Sequence, residues 1–503
     1  MIVKILSSVR AVIDSYSQDE LDKVRKYLSY QDKSALYLLT RLKKQKWFKE
    51  NKPEEYQARM AEITKDLNKT LLEFDGSNYF FKPSQIEHII KDLKIPVIVA
   101  EDRTKKLELI PMQWKNPFPH TPYPYQPIVI RALLENRHAN AELCTGGGKT
   151  YIIMKCATDS GLKTVIVTPS ESIWREIYND MVHFLGIEQV GSFSGEKKDL
   201  GKKYTVAISK SVSMVEEGSK EWKFFQSVQY AIFDEAHTLP AEQLALMCNH
   251  VLAHVNMRSF LSGTMSDPYG GTLINDIVGK NVFRMTTREG IAGGYLGDVD
   301  VTMVGVKSQD PKKKISDPNK CKRFHLYENP NVIKFIASLA NASWNARQES
   351  TLILVSEIEQ IAVLKKLITV PMNYVHGNTI KASELVEYGL TKVDSHLEVE
   401  KFNRGESKVL IGTSSISTGT NIYPTHNTVN FQGGASEIQT RQGTIGRSVR
   451  KLDQSRFKEF HKPNPRTKIW DFKVADINVI ERHAATRTEW YKDVTDNFRS
   501  IGI

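Results

Sequence analysis

The stretch CTGGGKTYIIMK, from Cys144 to Lys155, places three glycines, a lysine and a threonine before an apolar, helix-like run. Backbone N–H groups of such a loop can point at phosphate oxygens, because glycine lets the main chain come close to them. The lysine neutralises those oxygens, and the following hydroxyl binds magnesium. The residues that meet these needs are Gly146, Gly147, Gly148, Lys149 and Thr150. Leu143 replaces the leading glycine of G-x-x-x-x-G-K-[ST], so the loop alone also fits a flexible turn beside a chance lysine.

Two adjacent carboxylates, Asp234 and Glu235, end the apolar run YAIFDE about 85 residues after the loop. A strand-end aspartate can hold magnesium through water, while its neighbour orients or deprotonates the attacking water. Buried strand tips rarely carry two carboxylates without a cation to offset them. A solvated turn explains the pair but not its position after the loop. Together the two elements predict an ATP hydrolase that uses ATP and Mg²⁺, with Thr150 and Asp234 as the metal ligands.

Apolar, β-branched runs recur in two series along the chain. The first series covers residues 164–169, 204–209, 230–235 and 259–264; the second covers 351–356, 408–414, 428–433 and 467–472. Such runs suit strands that are buried on both faces of a parallel sheet, so they predict two doubly wound α/β lobes. The predicted bounds are 113–285 and 331–475 for the lobes, 286–330 for a Gly-, Pro- and Lys-rich connection, and 476–503 for a C-terminal helical tail.

The first 112 residues (1–112) predict a small α+β accessory domain. Two short strands precede a helix with a capping box of Ser17 and Glu20, and Ser84 and Glu87 suggest a second capping box. Between them lies a charged helical stretch at about 33–71, and residues 79–100 read as strand, helix and strand.

Several segments together resemble the motifs of superfamily 2 helicases. T-G-x-G-K-T at Thr145–Thr150 and D-E-x-H at Asp234–His237 match two of these motifs, and the first does not use the leading glycine. The other matching segments are Tyr125–Gln126, residues 168–174, Ser262–Thr264, residues 412–421 and residues 444–450. They keep the family order over about 325 residues. The resemblance implies an α/β fold of two tandem RecA-like doubly wound parallel-sheet lobes, with the small N-terminal α+β accessory domain in front.

The resemblance also implies roles for the matching residues. ATP binding is implied for Tyr125, Gln126, Thr145, Gly146, Gly147, Gly148, Lys149, Thr150 and Gly419. Contact with DNA is implied for Thr168, Pro169, Ser170, Trp174, Thr413, Ser414 and Thr418. Coupling between hydrolysis and the DNA-binding face is implied for His237, Ser262, Gly263 and Thr264. The catalytic residues are expected to be Lys149, Asp234, Glu235, Arg447 and Arg450.

Arg447 and Arg450 lie three residues apart, a spacing that predicts one face of a helix. Arginine presents a planar, permanently charged fork to the γ-phosphate oxygens. If the pair comes from the second lobe, it completes the site only when the lobes close, so ATP favours the closed state and hydrolysis releases it. Phosphate-backbone contacts or surface salt bridges are the alternative. The family pattern is Q-x-x-G-R-x-x-R; here Gly443 occupies the glutamine position and Gln442 comes one residue early, which leaves the role of the glutamine open.

The net charge of +11 predicts a polyanionic partner. Basic residues cluster at positions 43–46, 197–203 and 312–323, although each cluster also fits a solvated surface. No apolar run approaches the roughly 20 residues that span a bilayer, and the N-terminus lacks the apolar block of a signal peptide. Four scattered cysteines predict buried thiols rather than a zinc site or disulfides. These features predict a cytoplasmic protein with no membrane partner.

Within superfamily 2, the leading domain, the short two-lobe core and the short tail resemble phage recombination and repair helicases. That resemblance implies ATP-driven remodelling of branched or forked DNA in the host cytoplasm: fork regression, branch migration of Holliday junctions, and unwinding of R-loops, which contain RNA in a hybrid. It also implies that the leading domain binds duplex DNA. The alternatives are an RNA helicase, the motor of a restriction system, and a non-catalytic nucleic-acid clamp. The intact set of catalytic residues argues against the clamp.

Overall fold

The computed structural model describes residues 1–65, 67–104, 107–119, 121–195, 197–239, 241–263, 277–377, 380–413, 422, 425–450 and 466–503. These residues form two compact units, Met1–Leu143 with Lys149–Arg284 and Cys144–Gly148 with Met285–Ile503. The first unit holds an α+β domain and a sheet lobe, and the second holds another sheet lobe. The predicted fold class, two parallel-sheet lobes behind a small α+β domain, is therefore confirmed.

The N-terminal α+β domain is built on a five-stranded sheet. Its strands are β1 (Ile2–Ser7), β2 (Arg10–Ser15), β3 (Ser29–Gln31), β4 (Asn68–Thr70), β5 (Glu73–Phe74), β6 (Tyr79–Phe81) and β7 (Ile98–Asp102). Five of them form the sheet in the order β5-β6-β2-β1-β7, while β3 and β4 pair separately. The helices cover Gln18–Tyr27, Lys33–Lys43, Lys46–Asn51, Pro53–Lys65 and Gln85–Asp92. Val3, Leu21, Val24 and Ile89 close the core between the sheet and its helices.

One of the two predicted capping boxes forms. The Ser17 side chain accepts from the Glu20 N–H, and the Glu20 side chain accepts from the Ser17 N–H. The prediction for Ser84 is wrong: its backbone is already helical at φ −55° and ψ −27°, and its side chain makes no capping hydrogen bond. A capping serine needs an extended backbone to turn its hydroxyl onto the first turn of the helix. The helical stretch also ends earlier than predicted, because residues 68–70 form β4.

The segment after β7 belongs to the first lobe by its hydrogen bonds. The Ile110 N–H donates to the Ser160 carbonyl at 3.1 Å, and the Met112 N–H donates to the Thr158 carbonyl at 2.8 Å. Ile110 and Met112, which the sequence prediction placed in the accessory domain, are therefore hydrogen-bonded to the first lobe. The N-terminal domain also contacts the lobe where the Ser8 hydroxyl donates to the Ala253 carbonyl at 2.8 Å.

The first lobe is an eight-stranded sheet. Its strands are β8 (His138–Leu143), β9 (Thr164–Thr168), β10 (Val190–Phe193), β11 (Lys198–Asp199), β12 (Tyr204–Ile208), β13 (Tyr230–Asp234), β14 (Met257–Ser262) and β15 (Lys280–Met285). The order is β11-β10-β12-β9-β13-β14-β8-β15, and the five pairings from β10 to β8 are parallel. The helices cover Tyr125–Glu135, Lys149–Ser160, Glu171–Leu185, Ser209–Ser213, Lys220–Phe225, Ala236–Thr238, Ala241–Leu246 and Met247–Val251. All four predicted strands of this series are present, and β9 and β13 are buried throughout.

The second lobe is a seven-stranded sheet. Its strands are β16 (Asp298–Val306), β17 (Thr351–Leu354), β18 (Met372–Val375), β19 (Val409–Gly412), β20 (Asn427–Asn430), β21 (Arg466–Val474) and β22 (Phe498–Gly502). Their order is β18-β19-β17-β20-β21-β16-β22, and every pairing is parallel. The helices cover Thr287–Ala292, Pro318–Lys322, Arg323–Tyr327, Pro330–Arg347, Ile358–Lys365, Ala382–Glu387, Ser395–Asn403, Ile438–Ile445, Gly446–Ser448 and Asn478–Lys492.

Two predicted boundaries of this lobe need correction. The stretch 286–330, predicted as a connection, contains β16, which pairs with β21 over nine residues. The stretch 476–503, predicted as a helical tail, ends in β22 on the other side of β16. Both strands lie at one end of the sheet, so the second lobe extends on both sides of the predicted range 331–475.

A buried ion pair fixes the helix Asn478–Lys492 to this sheet. Arg487 donates two hydrogen bonds of 2.8 Å to the two carboxylate oxygens of Asp471, and both side chains are almost fully buried. The same guanidinium donates to the Gly434 carbonyl at 2.8 Å, and the Tyr491 hydroxyl donates to Asp471 at 2.7 Å. Because removing one partner would leave an uncompensated buried charge, the pair fixes this helix in one position.

The cysteines are four buried free thiols, as predicted. Within the described ranges, no helix is both long and apolar enough to cross a bilayer.

Candidate nucleotide-binding site

The glycine-rich loop lies between β8 and the helix that begins at Lys149. Gly146 and Gly148 have φ values of +88° and +70°, a conformation that favours glycine, and the Gly147 N–H donates to the Cys144 carbonyl at 3.0 Å. The loop therefore turns tightly at the start of a twelve-residue helix. A helix N-terminus of this kind presents backbone N–H groups and a positive dipole end to an anion.

Lys149 and Glu235 meet in the first unit although 86 positions separate them in the sequence. The Lys149 Nζ lies 2.8 Å from Glu235 Oε1, with the side chains 10% and 16% exposed. The ammonium also donates to the Leu143 carbonyl at 3.5 Å. The strand order explains the meeting, because β8 and β13 flank β14 with parallel register and their carboxyl ends share one sheet edge. The structure thus brings together the lysine and the carboxylate that the sequence predicted for one site.

Asp234 ends β13 in a buried position, and Glu235 follows in an uncommon conformation. Glu235 has φ +47° and ψ 43°, a left-handed backbone that is unusual for a residue with a side chain. Its N–H donates to Asp234 Oδ1 at 2.9 Å. Burial and the nearby Glu235 carboxylate raise the pKa of Asp234 to about 7, and the Lys149 charge only partly opposes this. Such backbone strain concentrates at functional sites.

These residues fit a nucleoside triphosphate with a divalent cation. The buried carboxylate of Asp234 has a raised pKa, as expected where a single lysine charge faces two carboxylates and a further cation would stabilise the ionised forms. The loop supplies backbone donors and Lys149 supplies a cation for phosphate oxygens. Within the described part of the chain, no group of three metal-ligating side chains occurs. Asp234 and the Thr150 hydroxyl would offer oxygen ligands of the kind that Mg²⁺ prefers.

Tyr125 and Gln126, for which the resemblance implies ATP binding, are buried in the first lobe. The Tyr125 ring stacks between Tyr123, at 5.8 Å between centroids, and Phe283, at 5.9 Å. The Gln126 side-chain oxygen accepts from the Tyr123 N–H at 2.9 Å. Tyr125 is only 6% exposed, so its placement favours packing over direct stacking on a base.

Arg447 and Arg450 lie at the end of a helical segment of the second unit. The π-helix Ile438–Ile445 leads into the short helix Gly446–Ser448, so Arg447 is helical and Arg450 comes after the helix. The prediction that one helix carries both residues is wrong. Arg447 is buried at 1% exposure. A π-helix accommodates an extra residue per turn, which gives a physical account of the one-residue offset of Gln442 from the family pattern.

Residues 144–148 of the loop group with the second unit. Within that unit, a Cβ added at Gly446 would lie 2.7 Å from the Thr145 Cβ, and one added at Gly146 would lie 3.6 Å from the Arg450 Cγ. Glycine is thus required at position 446 by the close approach of Thr145.

The residues predicted to contact DNA lie at strand ends with different exposures. Ser170 caps the helix Glu171–Leu185, with its side chain accepting from the Ile173 N–H, and Thr168 ends β9 with Pro169 after it. The buried Trp174 indole donates to the Val206 carbonyl at 3.0 Å, so its placement favours packing instead of the predicted DNA contact. Thr413 follows β19 and is buried.

The predicted coupling residues are described in part. Ser262 is buried at the end of β14, and Gly263 follows it. His237 lies in the short helix Ala236–Thr238, but its side chain is outside the description. Thr264, Ser414, Thr418 and Gly419 lie outside the described residues.

Sequence reasoning missed the residues that hold the arginine-bearing segment. Arg441, in the π-helix Ile438–Ile445, pairs with Asp493 at 2.6 Å, and Arg288 contacts the same C-terminal segment through Asp496 at 3.1 Å. Arg288 also donates to the Lys492 and Asp493 carbonyls at 2.6 Å and 3.0 Å. No local pattern marks these residues, because each pair spans more than 50 positions.

Residues 123–269 match the DEAD/DEAH box helicase family, and this range contains the loop, Lys149, Asp234 and Glu235. The match covers this range only; together with the two parallel-sheet lobes, it indicates an ATP-dependent helicase of superfamily 2.

The chain is similar to one curated protein and to several solved structures. The chain is 23% identical over 359 residues to the DNA 3'-5' translocase XPB2 of Sulfurisphaera tokodaii. The matched region covers 66% of this chain and 79% of the relative. It is similar to the structure of UvsW from bacteriophage T4, at 14% identity and a TM-score of 0.43, over 100% of this chain and 99% of that one. It is also similar to S. cerevisiae Dbp5 bound to RNA and ADP BeF3, at 15% identity and a TM-score of 0.50, over 76% of this chain and 90% of that one.

Proposed function

We propose that this superfamily 2 enzyme is an ATP-driven DNA translocase that remodels branched or forked DNA in phage recombination, repair and replication, in the host cytoplasm. The observation that carries the ATPase part is the cluster of Lys149, Asp234 and Glu235 beside the glycine loop at one sheet edge. Support for DNA comes from the net charge of +11 and from the similarity to a DNA translocase.

Each residue of the cluster has a distinct proposed role. Lys149 leaves its ion pair with Glu235 and binds phosphate oxygens, which gives the Glu235 carboxylate the freedom to orient and deprotonate the attacking water. Thr150 and Asp234 would hold a magnesium ion, which would supply positive charge against the negative charge that develops on the phosphates. Before nucleotide binds, Lys149 and Glu235 offset each other's charge.

Arg447 and Arg450 are proposed to contact the γ-phosphate. A guanidinium keeps its charge at any physiological pH and presents two parallel donors to phosphate oxygens. In this proposal they stabilise the transition state, while Thr168, Pro169, Ser170, Thr413, Ser414 and Thr418 grip the nucleic-acid backbone without reading sequence. Hydrolysis then changes the grip, which moves the enzyme along the strand.

The proposal is tested by ATPase stimulation at matched salt with a fork, a four-way junction, linear duplex, single-stranded DNA and RNA. Branched DNA is expected to stimulate most, and unwinding of a four-way junction, a fork and an R-loop is then compared directly. If RNA alone stimulated the ATPase, the proposal would be wrong and the alternative function, an RNA helicase, would be favoured. Equal stimulation by linear and branched duplex would instead favour a simple duplex translocase such as a restriction motor.

A further inference from the structure

Two consecutive helices of the N-terminal domain, Lys33–Lys43 and Lys46–Asn51, form a strongly basic surface that we call the basic helix pair. Its basic residues with described side chains are Arg41, Lys43, Lys44, Lys46 and Lys49, and the acidic residue among those described is Glu50. The pair lies between β3 and β4, outside every helicase motif. Its buried side chains, Ala35, Leu39 and Leu42, account for packing on one face and leave the charged face to solvent.

Two large aromatic side chains are exposed on the same helices. Trp47 is 68% exposed and Tyr37 is 66% exposed. Arg41 follows Tyr37 by four positions, a spacing that places both on one face of the helix Lys33–Lys43, and Lys44 follows as its C-cap residue. Tryptophan usually buries most of its surface, so an exposed tryptophan among lysines is an unusual placement for a large apolar ring.

Several members of the other basic clusters already have partners within the chain. Lys197 donates to the Tyr178 hydroxyl at 2.9 Å, Lys198 pairs with Glu221 at 3.0 Å, and Lys313 lies 3.6 Å from the Phe324 ring centroid. Arg323 pairs with Glu357 at 3.3 Å. By contrast, across the described residues, no ion pair joins the side chains of Arg41, Lys43, Lys44, Lys46 or Lys49 to a carboxylate. Their charge is therefore available to an external polyanion.

We infer that the basic helix pair binds single-stranded nucleic acid, with Trp47 and Tyr37 stacking on bases and the lysines contacting phosphates. Aromatic rings interleaved with cations are the standard means of gripping a strand without reading its sequence. A single strand is favoured over duplex, because base faces are already covered in a duplex. The inference extends the proposed function, on which it rests for the class of partner, to a site beyond the motor. It would hold a displaced strand beside the remodelled junction.

The test measures binding of the full-length protein to a labelled single strand, a duplex of equal length and the matching RNA, without nucleotide and over a salt series. Trp47→Ala is expected to raise the Kd for the single strand by about 5- to 150-fold, the range that loss of one stacked base gives. Duplex binding should change much less. Trp47→Phe should retain most of the affinity, and Tyr16→Ala, which removes a 41% exposed ring outside the pair, is the matched control.

A second variant tests the charges. The binding constant falls as salt rises, so a plot of its logarithm against log salt has a negative slope. Replacing Lys43, Lys44, Lys46 and Lys49 by Gln should make that slope shallower by about 0.7 for each phosphate that the variant no longer neutralises. Unchanged single-strand affinity in both Trp47→Ala and the Gln variant would overturn the inference, as would an equal weakening of duplex binding.

The experiments distinguish failure of this inference from failure of the proposed function. Basal ATPase should be normal in all variants, because none of the changed residues lies in the nucleotide site. If branched DNA is not remodelled but Trp47→Ala still weakens single-strand binding, the proposed function fails and the inference stands. If remodelling is found and both variants bind as the unchanged protein does, the inference fails alone.

Discussion

At the scale of single residues, substitutions of the paired Lys149 and Glu235 are expected to affect nucleotide binding differently. Lys149→Ala should weaken nucleotide binding and abolish turnover, because the phosphates lose their cation. Glu235→Gln should keep nucleotide binding but reduce hydrolysis by about 10²–10⁴-fold, because the water loses its general base. Equilibrium binding of a labelled nucleotide and steady-state ATPase separate the two. Normal hydrolysis by Glu235→Gln would contradict the assignment.

Arg447 gives a second prediction at this scale. It is buried, and an arginine that stabilises phosphoryl transfer contributes about 10³–10⁵-fold to the rate. Arg447→Ala should lower kcat by that order while nucleic-acid affinity changes little. Arg404→Ala, in a surface pair with Glu406, is the matched control. If Arg447→Ala instead weakens nucleic-acid binding and leaves basal hydrolysis intact, the residue contacts the backbone of the strand.

At the scale of elements, Glu349 joins three parts of the second sheet. It accepts from Lys468 in β21 at 3.0 Å, from Arg347 at 2.9 Å and from Asn427 in β20 at 3.3 Å. Burial alone would raise its pKa, but these hydrogen bonds outweigh burial and lower the pKa from 4.5 to about 2. A lowered carboxyl pKa stabilises the fold at pH values above 4.5, and that stabilisation is lost as the pH falls towards 2.

Glu349→Gln is therefore expected to reduce the free energy of unfolding by about 1–2 kcal/mol at pH 7, after allowance for solvent screening of the partners. The difference from the unchanged protein should shrink between pH 4.5 and pH 2. Urea unfolding followed by tryptophan fluorescence measures both values. Glu406→Gln, at an exposed surface pair, should change stability little at either pH. A difference that is constant with pH would show that Glu349 acts by packing rather than by charge.

At the scale of the whole molecule, deletions of two lengths test the role of the N-terminal domain. Deleting residues 1–106 keeps the segment through which Ile110 and Met112 bond to the first lobe. This variant should retain basal ATPase and lose action on junctions. Deleting residues 1–112 should also lower stability, because it removes those bonds. Unchanged fork remodelling after the shorter deletion would contradict a nucleic-acid role for this domain.

Much of the architecture was predictable because its signals are local. The eight apolar runs form strands because burial on both faces selects β-branched residues over continuous stretches, and Ser17 with Glu20 caps its helix through contacts only three positions apart. Predictions from local patterns were wrong where the backbone conformation or distant strand pairing decides the structure. Ser84 has the right residue type for a cap, yet its backbone is already helical, and β16 and β22 were hidden in segments whose flanks are typical of loops and helices.

The sequence by itself determined the class of this protein, since the phosphate loop, the paired carboxylates and the motif arginines are recognisable from residue type and spacing. Tertiary structure decided what those residues contact. Strand order alone places Lys149 against Glu235, folding buries Trp174 in a packing role, and the left-handed turn at Glu235 appears only in three dimensions. The physical reason is that sequence patterns encode local propensity and burial, whereas contacts between distant residues depend on how whole strands and helices pack.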